Sequence, residues 1–337
     1  MNRVRSVIRS KYRPMKKMFI VLLCGALFVL GWFLVVRLIS PWTAVKTIAS
    51  DCKTITDELP RKSVSVLRVG CYNIAHGRGG QLGTANWEGG SHRQKQTRLI
   101  QIAQMLRDHR LDIVVLNEVD FSSFWSGHVN QAALIAKEAG FPYRVEQRNV
   151  DIAIPFFSLR FGNVILSKYP IVETVFLDYP HPSWFEEVFY GGLKEGVIAT
   201  LALPDSGRIQ VAAVHLSLEG ETVRRASVQQ ILDVQQQSSL PMIAMGDFNS
   251  TAKDCPAYHA DSAGYSAIDM LQGHGGLTTL WLEPPIDQKD FTFPSEKPDR
   301  VIDWIFVSPD WKIDSKTVIP SHLSDHLPVT ALLTEHE

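Results

Sequence analysis

Met242-Ile243-Ala244-Met245-Gly246-Asp247-Phe248-Asn249-Ser250 is an apolar run that breaks at a glycine and then presents a carboxylate and a carboxamide. Such a run reads as a buried strand that delivers its last residues to a loop. Asp247 and Asn249 are two positions apart, so an extended backbone continued through them points both side chains the same way. The first accepts hydrogen bonds when ionised; the second both donates and accepts. Alone, Gly-Asp-x-Asn reads as a turn before it reads as a site, because Asp and Asn are turn formers. Its setting in the chain decides between the two.

The same format recurs on both sides of it. Residues 64–72 are strand-like and end in Asn73, residues 112–116 run into Asn117-Glu118, and residues 209–215 deliver His215. Residues 161–166 and 197–203 are further strand candidates. Asp303 sits inside the apolar run 301–308, and Ser324-Asp325-His326-Leu327-Pro328-Val329 introduces a last strand. Residues 92–109 read as a helix with Leu99, Ile102, Ala103 and Leu106 on one face, and residues 221–236 as another. Between Asn73 and the first of these lies a loop holding Gly77, Gly79, Gly80, Gly83, Gly89 and Gly90; it has no Walker pattern. Strands with only a few interleaved helices and no internal repeat predict one mixed α/β domain of about 270 residues.

Strand ends thus carry Asn73, Glu118, His215, Asp247 with Asn249, and Asp325 with His326, while Asp303 is a carboxylate that is costly to bury without a partner. One such residue would be an ordinary cap or turn former. Together they form a set of Asp, Glu, Asn and His without cysteine, and hard oxygen donors suit Mg²⁺, with Mn²⁺ as the alternative. Histidines beside them would bind a phosphoryl oxygen or supply a proton to a leaving group. An Asp paired with a His fixes the tautomer and favours the imidazolium. The chemistry indicated is metal-assisted hydrolysis of a phosphate ester.

The blocks Cys71-Tyr72-Asn73-Ile74, Val115-Leu116-Asn117-Glu118-Val119, Gly162-Asn163-Val164-Ile165-Leu166-Ser167, Val214-His215-Leu216, Gly246-Asp247-Phe248-Asn249, Ile302-Asp303-Trp304-Ile305 and Ser324-Asp325-His326-Leu327-Pro328 resemble, in order, those of the endonuclease/exonuclease/phosphatase superfamily, the deoxyribonuclease I-like group. The resemblance covers roughly residues 65 to 334. It implies a four-layer α/β sandwich, two packed β-sheets flanked by helices, with the site at one edge. It also implies roles: Glu118, Asn73 and Asp325 at the metal, Asp247 on the attacking water, Asn249 and His215 on the phosphate, and His326 paired with Asp303 to stabilise developing charge. His76 and Asn163 are further candidates for substrate contact. Where abasic-site endonucleases carry Asp two residues after the first Asn, this chain has Ala75, which argues against a repair endonuclease.

Residues 19–36 contain no charge, and seven Lys or Arg precede them without an acid. At about 1.5 Å per residue such a helix spans about 27 Å, enough for a bilayer core. The positive-inside rule then gives a basic cytoplasmic tail at 1–17, a transmembrane signal anchor at 18–39 and an extracytoplasmic catalytic domain at 65–337. A cleaved signal peptide is the competing reading, against which stand the length of the apolar run and the lack of a clear A-x-A site after it. The linker 40–64 is expected to hold a short amphipathic helix, with Ser40-Pro41 at its start and Val45, Ile48, Ala49, Cys52, Ile55 and Leu59 at helical spacing. Removing the eight basic residues of the N-terminal segment, Arg37 included, from the total of 34 leaves 26 against 35 acids, so the body carries a net charge near -9. Nucleic acid is therefore not favoured as a substrate, although acidity does not exclude a nuclease. The tether and the aromatic stretch Trp184, Phe185, Phe189 and Tyr190 favour a lipid headgroup or small phosphodiester. A catalytically silent, membrane-tethered binding module is the reading from another class. Cys24, Cys52, Cys71 and Cys255 show no disulfide framework, though an oxidising compartment would permit a Cys52–Cys255 bridge. Arg224, Arg225 and Gln229 are expected to pair with their surroundings.

Overall fold

A strand that is apolar on both faces, as residues 242–245 are, has to be covered on both. The computed structural model describes residues 16–35, 45–49, 64–154, 157–180, 194–204, 207–274, 276–279 and 287–336, and it covers such strands in layers. The first described element is helix α1 (Lys16–Val35). There follow β1 (Val45–Ala49), β2 (Val66–Asn73), α2 (His92–Asp108), β3 (Ile113–Asp120), α3 (Gln131–Ala139), β4 (Tyr143–Ile154), β5 (Phe157–Ser167) and β6 (Ile171–Leu177). The second half comprises β7 (Gly196–Ala202), β8 (Arg208–His215), α4 (Glu221–Gln237), β9 (Met242–Asp247), α5 (Ala267–His274), β10 (Asp303–Val307), β11 (Trp311–Val318) and β12 (Val329–Glu335).

These strands form a seven-stranded sheet ordered β1-β4-β5-β3-β2-β12-β11 and a five-stranded sheet ordered β10-β9-β8-β7-β6. Each sheet contains one parallel pair, β2 with β3 and β8 with β9; the other neighbours are antiparallel. A parallel pair needs a crossover, and α2 and α4 are those crossovers. Alternation sorts each strand's residues between two cores. Val69, Cys71, Ile113 and Val115 meet Val211, Ala213, Ile243 and Met245 between the sheets. Their neighbours Tyr72, Val114 and Leu116 pack under Leu99, Ile102 and Leu106 of α2 and Ile135 of α3. Ala212, Val214 and Ala244 pack under Val228, Ile231 and Leu232 of α4 and Leu271 of α5. The result is helices, sheet, sheet, helices, as the resemblance implies. Ser91 and Gln94 close a reciprocal capping box at the start of α2, which fixes where the glycine-rich loop ends.

The linker differs from expectation. Val45–Ala49 is a strand, antiparallel to β4 from Val45↔Gln147 to Ala49↔Tyr143, and not the first turn of an amphipathic helix. Val45, Thr47 and Ile48 are β-branched, and the edge of β4 offers unpaired backbone groups, so sheet pairing overrides the helical spacing. The expected cap at Ser40-Pro41 and the remaining helical positions lie outside the described residues, as do Cys52 and the aromatic stretch 184–190. Cys24, Cys71 and Cys255 carry free thiols. Helix α1 is long and apolar enough to cross a membrane, and the Trp32 indole donates to the Ala153 carbonyl at 2.7 Å, at the tip of the β4–β5 hairpin.

Candidate active site

The two parallel pairs bring their C-terminal ends to one edge of the sandwich. Asn73 pairs in register with Asn117 on one sheet, and His215 with Asp247 on the other. Asp303, at the start of β10, lies opposite Asp247. The sheets are joined across this edge by amides. Asn73 Nδ2 donates to Asp247 Oδ2 at 3.0 Å, and Asn117 Oδ1 accepts from the Asp247 N–H at 3.0 Å while its Nδ2 donates to Val214 O at 3.0 Å. Gly246 permits this approach: its φ is 140°, and a Cβ there would lie 2.0 Å from Val214 O.

Asp247 Oδ1 accepts the Asn249 N–H at 2.9 Å. The extended backbone does not continue through Asn249, whose φ is 48° and whose Nδ2 donates to Leu216 O at 2.9 Å. The turn and the site are therefore the same object. Glu118 is likewise held at a positive φ of 54°, on a bulge where the β3–β5 register slips between Leu116 and Val119. The bulge turns its side chain toward the cleft. Non-glycine residues in this region cost on the order of 1–3 kcal/mol each, and such residues concentrate at working sites.

The electrostatics separate the two central carboxylates. Burial pushes the Glu118 carboxyl up, but His76, His215, Lys194 and His326 outweigh it and hold the group down at about 2. Burial and the neighbouring Asp303 push Asp247 up to about 6, against the pull of His326 and its hydrogen bonds. The histidines separate too. Burial opposes charge on His326, yet Asp303, whose carboxylate lies 3.0 Å from Nδ1, and Asp247 raise it to about 10. Burial and then Lys194, whose Nζ lies 2.8 Å from Nε2, push His215 well below its usual value.

Glu118, His215, Asp247, Asn249, Asp325 and His326 line one cleft of about 400 Å³ together with Lys194. Asn73 and Asp303 stand behind it through Asp247 and His326. Asp325 forms an ion pair with Arg78, and its other oxygen accepts from Ser324 Oγ at 3.3 Å. Asn163 is fully enclosed: its Nδ2 donates to Gln147 Oε1 at 2.6 Å, and its Oδ1 accepts from Asn117 at 2.8 Å. That enclosure leaves it no exposed surface, and its amide bridges Gln147 and Asn117. His76 is buried as well, with Nδ1 2.8 Å from Asp120 and Nε2 3.6 Å from Glu118. Arg224 pairs with Glu221, Arg225 with Asp261 and Gln229 with Asp233, as expected of them.

Sequence reasoning did not single out Lys194, Asn117, Arg78 or Asp120. Asn117 was visible beside Glu118, and its value as an amide with both ends usable between two sheets was the available signal. Lys194 follows no motif. The donor set fits a divalent cation at Glu118, an ionised, partly open carboxylate at the mouth of the cleft. Asp247, Asp303 and His326 also bring three ligand atoms within 4.8 Å of one another, but their mutual pairing accounts for that cluster.

A profile described as Endonuclease/Exonuclease/phosphatase family matches residues 70–326 of this chain. No curated protein matches it. Among solved structures, it is similar to an endonuclease/exonuclease/phosphatase from Beutenbergia cavernae, at 23% identity and a TM-score of 0.56 over 80% of this chain and 72% of that one. It is also similar to a mannosyl-6-phosphatase of Bacteroides thetaiotaomicron, at 18% identity and 0.54 over 80% and 99%. A third is the human Nocturnin catalytic domain with bound sulfate anion, at 15% identity and 0.56 over 83% and 99%. These likenesses establish the fold.

Proposed function

This chain belongs to the endonuclease/exonuclease/phosphatase family, whose members hydrolyse phosphoester bonds, and from that premise we propose that it is a membrane-anchored, outward-facing, Mg²⁺- or Mn²⁺-dependent hydrolase of a phosphodiester or phosphomonoester. The observation that carries the reading is the separation of protonation states around one cleft, with Glu118 and Asp247 pushed apart and His326 and His215 pushed apart. Groups separated in this way can take acid and base roles at one pH.

Glu118, with Asn73 and Asp325, would hold the metal, which when bound stabilises negative charge on a phosphoryl oxygen. Asp247, ionised above pH about 6, takes a proton from the attacking water. Asn73 and the Asn249 N–H, each bonded to its carboxylate, hold Asp247 in place. Neutral His215 and the ammonium of Lys194 face the bound phosphate from one side. The His326 imidazolium, fixed through Nδ1 by Asp303, presents Nε2–H from the other, where it stabilises the charge that develops and can protonate the leaving oxygen.

A lipid headgroup is preferred over nucleic acid as the substrate. A 20-residue apolar helix precedes the domain, the body is acidic, and Leu218 on the cleft rim is 59% exposed. The test is to assay the full chain in detergent micelles, with Mg²⁺, with Mn²⁺ and with chelator, on sphingomyelin-type lipids, inositol phosphates and plasmid DNA. Metal-dependent turnover of the lipid above the other two supports the reading. Nicking of plasmid as the fastest reaction would move it to a DNA/RNA endonuclease, and no turnover of any substrate would leave the silent binding module. A C-terminal topology reporter that reads cytoplasmic would overturn the outward orientation.

A further inference from the structure

His76 is a buried histidine of this edge that the mechanism above leaves without a task, although the chain builds a support for it. Ala75 and His76 both adopt left-handed φ values, 45° and 53°. Gln131 Nε2 donates to the His76 carbonyl at 2.8 Å, and the ring meets the stacked pair Trp125 and Phe161 at T-shaped angles. Its Nδ1 lies 2.8 Å from Asp120 Oδ1. The other oxygen of that fully buried carboxylate accepts the Trp125 indole N–H at 2.9 Å and Gln131 Nε2 at 3.4 Å. A carboxylate whose other contacts are all donors accepts from Nδ1–H, so that the neutral form of the ring carries its lone pair on Nε2.

That Nε2 forms no hydrogen bond among the described residues; it faces Glu118 Oε2 at 3.6 Å. The separation is too long for a good hydrogen bond. It is, however, within reach of two ligands on one cation, since metal–ligand bonds of about 2.0–2.2 Å at open angles place the ligand atoms about 3–3.6 Å apart. Carboxylate, histidine and metal in series is the arrangement by which an outer carboxylate fixes the tautomer of a ligating imidazole.

We propose that His76, oriented by Asp120, is a metal ligand beside Glu118, and that its nitrogen biases the site toward a first-row transition dication such as Mn²⁺ over Mg²⁺. This rests on the reading of Glu118 as a metal ligand and deepens it. An all-oxygen set suits Mg²⁺, whereas an imidazole donor favours ions that accept nitrogen.

Pulsed electron paramagnetic resonance of the full chain in detergent, stripped by chelator and loaded with one equivalent of Mn²⁺, tests this without reference to turnover. The expected spectrum shows coupling to an imidazole nitrogen, which His76→Gln removes. By calorimetry His76→Gln weakens Mn²⁺ binding about 10-fold or more and Mg²⁺ binding less than about twofold. Asp120→Asn keeps the nitrogen coupling and weakens Mn²⁺ about 10-fold, so the proposal can be judged even if His76→Gln does not fold. Mn²⁺ bound without nitrogen coupling, and lost in Glu118→Gln, overturns the role of His76 while the metal reading stands. Coupling that survives His76→Gln assigns the nitrogen to another histidine and likewise overturns it. Failure of the wild-type chain to bind either ion overturns both.

Discussion

His215 and His326 stand on either side of Asp247, each with Nε2 3.7 Å from Asp247 Oδ2, and both are buried. Burial disfavours the cation equally in kind at both positions. What differs is the company. Around His326 the nearby groups are the carboxylates of Asp303, Asp247 and Asp325, and the ring stays charged up to about pH 10. Around His215 the nearest group is the Lys194 ammonium, with the other histidines behind it, and these outweigh Glu118. Two identical side chains at one distance from one carboxylate thus become a fixed cation and a neutral base. Residue type supplies the option, and neighbours from other strands decide it.

The strongest way to break this comparison is to remove what the two histidines share. Asp247→Ala takes away the water's base and the partner of both rings, and kcat for the preferred phosphoester should fall by about 10³-fold or more; circular dichroism should show the fold retained. Asp303→Asn removes only the His326 side. A loss on the order of 10²-fold at pH 8 is expected. Because the cation is the working form, activity is lost as pH rises through the His326 value, so the alkaline limb of the pH–rate profile should move from near 10 toward neutrality.

Lys194→Met perturbs the other side. Its effect should be smaller, about 10-fold and mainly in KM, because a cation facing the phosphate is lost. His215 should then titrate higher, and since its neutral form is the working one, activity should fail earlier as pH drops. The change is partial, because burial remains the first cause of its low value. The smallest effect is on stability. His326 has a folded value raised above its ordinary 6.5, so its contribution is complete below pH 6.5 and is lost as pH rises through about 10. Thermal unfolding of the metal-free chain followed from pH 7 to 10.5 should show a decline, on the order of a few degrees, that Asp303→Asn lacks.

The parts of this arrangement legible in the sequence were those that a single strand carries by itself. Apolar runs covered on both faces are continuous, so β2, β3, β8 and β9 and the polar residues at their ends could be read directly. Harder were strands whose buried residues are polar. β4 buries Glu146, Gln147 and Asn149, which hides its alternation, and β1 is a strand only because the edge of β4 is there to pair with. The same limit applies to side chains. His76 resembles a solvated loop histidine until Asp120, 44 positions away, is brought to its ring. Asn163 resembles a substrate contact until Gln147 and Asn117 enclose it. Lys194 has no local pattern, and its meaning comes from His215 at the end of β8.

The central claim is that one side of Asp247 meets a cation and the other a neutral imidazole, and the histidine side chains report it directly. A long-range proton–nitrogen spectrum of the metal-free full chain, labelled at histidine and titrated from pH 5 to 9, should show His326 protonated at both nitrogens throughout. His215, assigned through His215→Gln, should remain neutral at pH 6. Both rings titrating together near 6.5 would contradict the account.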